Sequence, residues 1–390
     1  MFQRSTPRLA VAAAALALLL AGAAQAQQAP LKVGLMLPAT GTFAALGDMI
    51  EKGFKLYVQE QGGKLGGREI QYFKVDDESE PSKATDNVNK LIKRDQVDVI
   101  VGTVHSGVAL AMARAAKESN TLLIVPNAGA DAITGAQCAP NIFRSSFSNW
   151  QPGYAAGVVA AGKGYKRAMT ITWNYAAGQE TVKGFIEAFE KGGGKSIKDL
   201  SLPFPGVEFQ ALLTEIAAQK PDVVFAFFAG GGAVKFVKDY DAAGLKRSIP
   251  LVASGFLTDG TLEAQGPSAQ GILSTLHYAD NLDTPRNNAF RKSFALTYKA
   301  NADVYSVQGY DAAQMLGAGL VAVKGDFAKR DAMLAAMNKA TIDSPRGKFS
   351  LSPQRNPVQD IFLRQATGVN NEFRGVAVKA LADPGRGCKV

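Results

Sequence analysis

His105 and Ser106 follow the apolar run 97–101 and open a stretch of helical spacing that reaches Glu118. A hydroxyl at the start of a helix, beside the free N–H groups of the first turn, suits a small anion because that end carries partial positive charge. The same serine would also serve as a plain N-cap. His105 is either a second donor to such an anion or an ordinary loop residue. Asp76-Asp77 ends another apolar run and reads as a turn or cap. The only two histidines are His105 and His277, and the chain holds no G-x-S-x-G, H-E-x-x-H, Walker or G-x-G-x-x-G motif. Nothing in it assembles a nucleophile with its base or a Cys/His metal cluster. The expectation is a binding protein, not an enzyme, with no cofactor and no metal.

Two cysteines, Cys138 and Cys388, complete the reactive inventory. Their reading depends on the N-terminus. Arg4 and Arg8 precede an unbroken small and apolar run, residues 9–24, which ends at Ala24-Gln25-Ala26. This is the three-part layout of a secretory signal, with cleavage expected after Ala26. A membrane anchor is the other reading of the run, but its alanine-rich composition is weakly hydrophobic for a span. Gln27, not cysteine, would begin the mature chain, which argues against a lipid anchor. An exported chain meets an oxidising compartment, so a single Cys138–Cys388 bridge is expected, with two free thiols as the alternative.

Loss of residues 1–26 lowers the formal charge from +9 to +7, since only Arg4 and Arg8 go with them. The remaining Lys and Arg are dispersed among acids, with no basic run interleaved with aromatics, so no nucleic-acid partner is expected. No later stretch is long and apolar enough to span a membrane. The length suits two domains, and 47% hydrophobic residues can fill two cores.

The elements that must position these residues alternate. Apolar runs at 31–37, 69–75, 97–101 and 122–125 read as strands, separated by helical faces at 46–58, 81–94 and 106–118. The rhythm restarts after Trp150: helices at 152–162, 178–190 and about 209–216, with strands at 168–173, 196–202, 221–228, 249–252 and 271–277. Residues 286–298, 305–323 and 328–339 read as consecutive helices. Residues 347–380, with Pro353 and Pro357, read as short strands and turns. Alternation of this kind makes parallel sheets covered by helices, so the expected class is α/β with two doubly wound lobes. Ligands bind such sheets beyond the carboxyl ends of the strands.

Several stretches resemble type I periplasmic binding proteins. They are Lys32-Val-Gly-Leu-Met-Leu-Pro-Ala-Thr-Gly-Thr-Phe43 with Gly47-Asp48, Gly62-Gly-Lys-Leu-Gly-Gly67 with Asp76-Asp77 and Pro81, and Val101-Gly102 with Ser106 and Pro126. Ile142-Phe-Arg144 and Ala242-Ala-Gly-Leu245 extend the likeness over essentially the whole mature chain, nearest the Leu/Ile/Val-binding branch of ABC-importer receptors. The resemblance implies two lobes joined by three crossings that close on a ligand like a hinge. It implies one lobe at 27–146 with 277–350 and another at 147–276 with 351–390. It implies delivery to an inner-membrane ABC permease by a periplasmic monomer. A sensor subunit of the same fold is the other role open to it.

By the same resemblance, Ser106 matches the serine that holds the ligand's carboxylate, and Asn127, Ala128 and Gly129 match the next binding loop. Gly129 stands where amino-acid binders of the branch carry threonine. No Asp or Glu occurs in Ser254-Gly255-Phe256, the stretch aligned with the carboxylate that meets an ammonium. A buried ammonium without a counter-charge is costly, which argues against an α-amino acid. Phe43, Trp150, Tyr175, Phe228 and Phe256 fall at strand ends or crossings, the places that face the crevice in this family. Each is also open to an ordinary core reading, Phe228 most of all. With Ser106 and His105 they suit a flat carboxylate, a benzoate or phenylpropanoid. A branched-chain amino acid or small amide is the alternative ligand.

Overall fold

The computed structural model describes residues 28–389. The expected signal peptide, residues 1–26, lies outside them. The first sheet is built on β1 (Leu31–Leu37), whose side chains are almost all buried because helices cover both of its faces. β2 (Lys64–Leu65), β3 (Arg68–Asp76), β4 (Val99–Val101), β5 (Leu122–Val125) and β6 (Ile142–Arg144) complete it in the order β2-β3-β1-β4-β5-β6. Only β2 runs antiparallel to its neighbour.

Between these strands run α1 (Ala44–Glu60), α2 (Ala84–Asn89) and α3 (Ser106–Ser119). The single helix expected over 81–94 is broken up. Pro81–Lys83 makes a tight first turn, and Lys90–Arg94 widens so that Asp95 N–H reaches Lys90 O. Proline starts a helix well but sets the backbone of its first turn.

The chain then passes through residues 145–149 into a second sheet. Its strands are β7 (Arg167–Trp173), β8 (Lys195–Leu202), β9 (Val223–Phe227), β10 (Leu251–Ser254), β11 (Leu273–Leu276), β12 (Ser350–Leu351), β13 (Pro357–Ala366) and β14 (Asn371–Leu381), with the path β12-β13-β11-β10-β9-β7-β8 and β14 paired to β13. α4 (Trp150–Gly162), α5 (Ala176–Lys191), α6 (Gln210–Gln219) and α7 (Gly230–Ala242) flank it. The short strands and turns expected over 347–380 are instead dominated by a long antiparallel hairpin, β13–β14. Its first strand alternates buried and half-exposed residues, the period of a strand with one covered face. Pro357 does not interrupt it, because it is the first residue of the strand.

Three further helices, α8 (Pro285–Tyr298), α9 (Val304–Ala322) and α10 (Arg330–Lys339), lie between β11 and β12 in sequence. α9 crosses α1 so closely that a Cβ on Gly53 would meet Ser306 O at 1.8 Å, and one on Gly309 would meet Ile50 O at 1.9 Å. Two glycines therefore let the late helix seat on the first lobe. The chain thus passes between the lobes near 145–149, 277–284 and 343–349. Arg346 ties two of these crossings together: it donates to Ser145 O (2.6 Å) and Ser146 O (3.1 Å) and sits 3.2 Å from Asp311.

Cys138 and Cys388 are joined in a disulfide, as expected. It binds the tail that follows β14 to the loop before β6. Among the described residues no helix is long and apolar enough to cross a membrane, and no group of His, Cys, Asp or Glu is placed to hold a metal.

Candidate ligand-binding site

Between the lobes lies a narrow cavity of about 20 Å³. The first lobe and its crossing supply Phe43, Leu46, Val104, Ser106, Asn127, Gly129, Phe147 and Asn149. The second lobe supplies Tyr175, Ala177, Phe227, Ala229 and Phe256, and α9 supplies Tyr305. No residue of this lining carries an ionised side chain. The walls are aromatic: Phe147 and Phe256 have ring centroids 4.7 Å apart, and Phe256 and Tyr305 6.0 Å. Burial pushes the Tyr305 hydroxyl's pKa far up, so it stays a neutral donor.

Of the residues expected at the site, Phe43, Ser106, Asn127, Gly129, Tyr175 and Phe256 line this cavity. Ser106 is not the cap of α3. That role falls to His105, whose Nδ1 accepts the Gly107 N–H at 3.0 Å. The Ser106 Oγ instead accepts from Asn149 Nδ2 at 3.3 Å, which leaves its own proton to donate elsewhere. The His105 ring packs against Phe204 and Tyr175, with centroids 4.7 and 4.8 Å away, behind the lining. Burial holds it down to about 4, so it is neutral at physiological pH and adds no charge to the site.

Asn127 is oriented by a chain of amides. Its Nδ2 donates to Gln308 Oε1 at 2.7 Å, and Gln308 Nε2 lies 3.3 Å from His277 Nε2. Gly129 is required by space: a Cβ there would come within 2.3 Å of Asn149 Oδ1 and 2.6 Å of Phe147 Cε2. The room a larger side chain would need there is filled by Phe147 and Asn149. Asp259, the acid nearest in sequence to Phe256, lies outside the lining and is bonded to Arg364 at 2.7 Å.

Besides His105, three expected residues lie off the lining. Phe228 packs in the second lobe's core, edge-on to Trp173 and Phe209 at 5.1 Å each, and its neighbour Phe227 meets the cavity. Successive residues of a strand point to opposite faces, so a shift of one position exchanges wall for core. Trp150 begins α4 with its ring on Tyr154 (4.5 Å) and its indole N–H on Glu187 (3.0 Å), so it braces α4 against α5. Ala128 is held by its backbone: its N–H donates to Thr103 O at 2.9 Å and its carbonyl accepts from Arg144 at 3.2 Å.

Sequence reasoning missed eight of the lining residues, Phe147, Asn149 and Tyr305 among them. Tyr305 is 1% exposed and its hydroxyl has no hydrogen-bond partner. A buried orphan hydroxyl on a cavity wall marks a place where a ligand is expected to supply the partner. A signal for it existed: Asp303 and Ser306 form a capping box, which fixes the helix start and puts Tyr305 in its first turn.

Comparison with known proteins agrees with this geometry. A family model described as periplasmic binding protein matches residues 30–371. A solute-binding protein of an ABC transporter from R. palustris, solved in complex with benzoate, is 55% identical, covers 93% of this chain and 100% of its own, and superposes with a TM-score of 0.90. A solute-binding protein from Rhodopseudomonas palustris BisB5, in complex with 3,4-dihydroxybenzoic acid, is 30% identical over 91% of this chain and 99% of its own, with a TM-score of 0.86. Leu/Ile/Val-binding protein homolog 6 of Brucella melitensis is 30% identical over 91% of this chain and 92% of its own length. With two α/β lobes, a cleft between them and this match across nearly its whole length, the chain belongs to the periplasmic binding protein family and has the type I fold.

Proposed function

We propose that the chain is the receptor of an ABC importer and captures a small aromatic carboxylate of the benzoate type between its lobes. One observation carries this reading: an aromatic-walled cavity offers neutral hydroxyl and amide groups at a helix N-terminus and has no carboxylate on its wall. The aromatic faces take the ring, and the Ser106 hydroxyl with the first turn of α3 takes the carboxylate. An α-amino acid would leave its ammonium buried without a counter-charge. The benzoate held by the 55% identical neighbour supports the same ligand class.

In this reading residues 1–26 direct export and are removed after Ala26, and the mature monomer works in the periplasm. The lobes at 27–146 with 277–350 and 147–276 with 351–390 rotate about the three crossings, and the closed form docks on a membrane permease. The test is a thermal-shift series on the purified mature chain with benzoate, 3,4-dihydroxybenzoate, leucine and valine. Ligands that bind the folded form raise the melting temperature by mass action. Benzoate is expected to raise it. A shift with leucine or valine and none with the benzoates refutes the assignment.

A further inference from the structure

Glu180 does not touch the cavity, yet it governs a residue that does. It sits in the first half of α5, on the second lobe, and one of its carboxylate oxygens accepts two N–H groups. One is the backbone amide of Asp131, in the first lobe, at 3.0 Å; the other is Nδ2 of Asn149, at the first crossing, at 2.8 Å. The same Asn149 Nδ2 donates to Ser106 Oγ. Asn149 is otherwise held by its backbone N–H on Gly129 O at 2.7 Å.

An asparagine side chain can present either its oxygen or its NH₂ group in a given direction. A carboxylate only accepts, so Glu180 forces the NH₂ toward itself and toward Ser106. Ser106 Oγ must then act as acceptor to Asn149, and its proton is left to point into the cavity. We propose that Glu180 is a positioning residue that sets the polarity of the Ser106 hydroxyl, through Asn149, so that the site selects a carboxylate over a neutral group of the same shape. The inference rests on the aromatic-carboxylate reading above and adds to it the origin of the charge preference.

Both N–H groups meet the same oxygen of Glu180, which is therefore an acceptor to each. Burial raises its pKa, but the two N–H donors and the nearby Arg144 act against that shift. Burial, then Glu180 and Asp383, push Asp131 up to about 8. Arg144 donates to Ala128 O, Ala130 O and Thr134 Oγ1 and does not neutralise Glu180 by direct contact. Glutamine at 180 would present either an oxygen or an NH₂ group. Asn149 could then turn over, and Ser106 would offer the ligand lone pairs in place of a proton.

The test titrates benzoate and benzamide by calorimetry into the mature wild type, Glu180→Gln, Asn149→Ala and the double variant. Glu180→Gln is expected to lower the ratio of benzoate to benzamide affinity by about tenfold, the scale of one charge-assisted hydrogen bond. It is expected to change that ratio no further in the Asn149→Ala background. A purely architectural Glu180 would shift both ligands together, and an unchanged ratio overturns the proposal. Wild type that binds neither compound refutes the ligand reading alone. The link is then judged by thermal unfolding of the same four proteins: coupled changes in melting temperature sustain it, and additive ones overturn it.

Discussion

Replacing Ser106 with alanine removes one hydroxyl from the cavity wall and little else. The residue is 1% exposed and is not the helix cap, since His105 fills that role. Of the two N–H groups on Asn149 Nδ2, one keeps its 2.8 Å bond to Glu180 and the other loses a longer 3.3 Å bond to Ser106 Oγ. The larger cost should therefore fall on the ligand. A hydrogen bond to an ionised group contributes about 1.5–3 kcal/mol. At 1.4 kcal/mol per decade, benzoate affinity should drop by about ten- to a hundred-fold. Stability of the ligand-free variant should fall by only about 1 kcal/mol, the scale of the one hydrogen bond lost. Calorimetric titration with benzoate and urea unfolding without it separate the two quantities. Affinity within twofold of wild type removes Ser106 from the site. A large loss of stability refutes the claim that its hydroxyl is dispensable to the fold.

Tyr305→Phe deletes a buried hydroxyl without a partner, so the ligand-free protein should gain up to about 1 kcal/mol while benzoate affinity falls; paired melting and titration data check both signs. Cys138→Ser with Cys388→Ser opens a link across a sequence separation of 250. Roughly 2–4 kcal/mol of stability should be lost, read from urea unfolding of the oxidised wild type against the double variant. Asp303 caps α9, and burial, reinforced by Asp259 and Asp280, pushes its carboxyl up to about 7. The folded state then keeps a proton that the unfolded chain releases near pH 4, so this residue's contribution declines as pH rises from about 4 to about 7 and is level above that. Asp303→Asn preserves the cap, and its stability relative to wild type should climb across that window; a flat difference between pH 4 and 7 refutes the assignment.

Much of the architecture is written in local pattern. Short apolar runs and helical faces placed β1, β3, β4, β5, β7, β8 and β9 and the main helices, because each element must bury its own apolar side chains. The β13–β14 hairpin escaped because two prolines were read as breaks, though one of them occupies the first position of the strand, where a missing N–H is tolerated. The bridge between Cys138 and Cys388 needed only the count of cysteines and the expectation of an oxidising compartment.

Side-chain direction was another matter. Phe43, Ser106, Asn127, Gly129, Tyr175 and Phe256 face the cavity, while Phe228 and Trp150 turn into packing of their own. Strand ends and helix starts can be located in sequence, but which neighbour looks inward depends on register and on what lies opposite. Tyr305 reaches the cavity only because Gly53 and Gly309 let α9 press against α1 across more than two hundred residues of chain. Glu180, Asn149 and Ser106 meet only where two lobes and a crossing converge. The sequence by itself determined the two-lobed α/β class and the bridge, because these follow from periodicity, composition and the count of cysteines. Which side chains form the wall, and which hydrogen bonds orient them, was decided by tertiary structure alone, because hydrogen bonds and ring contacts act over a few ångströms between residues the chain keeps far apart.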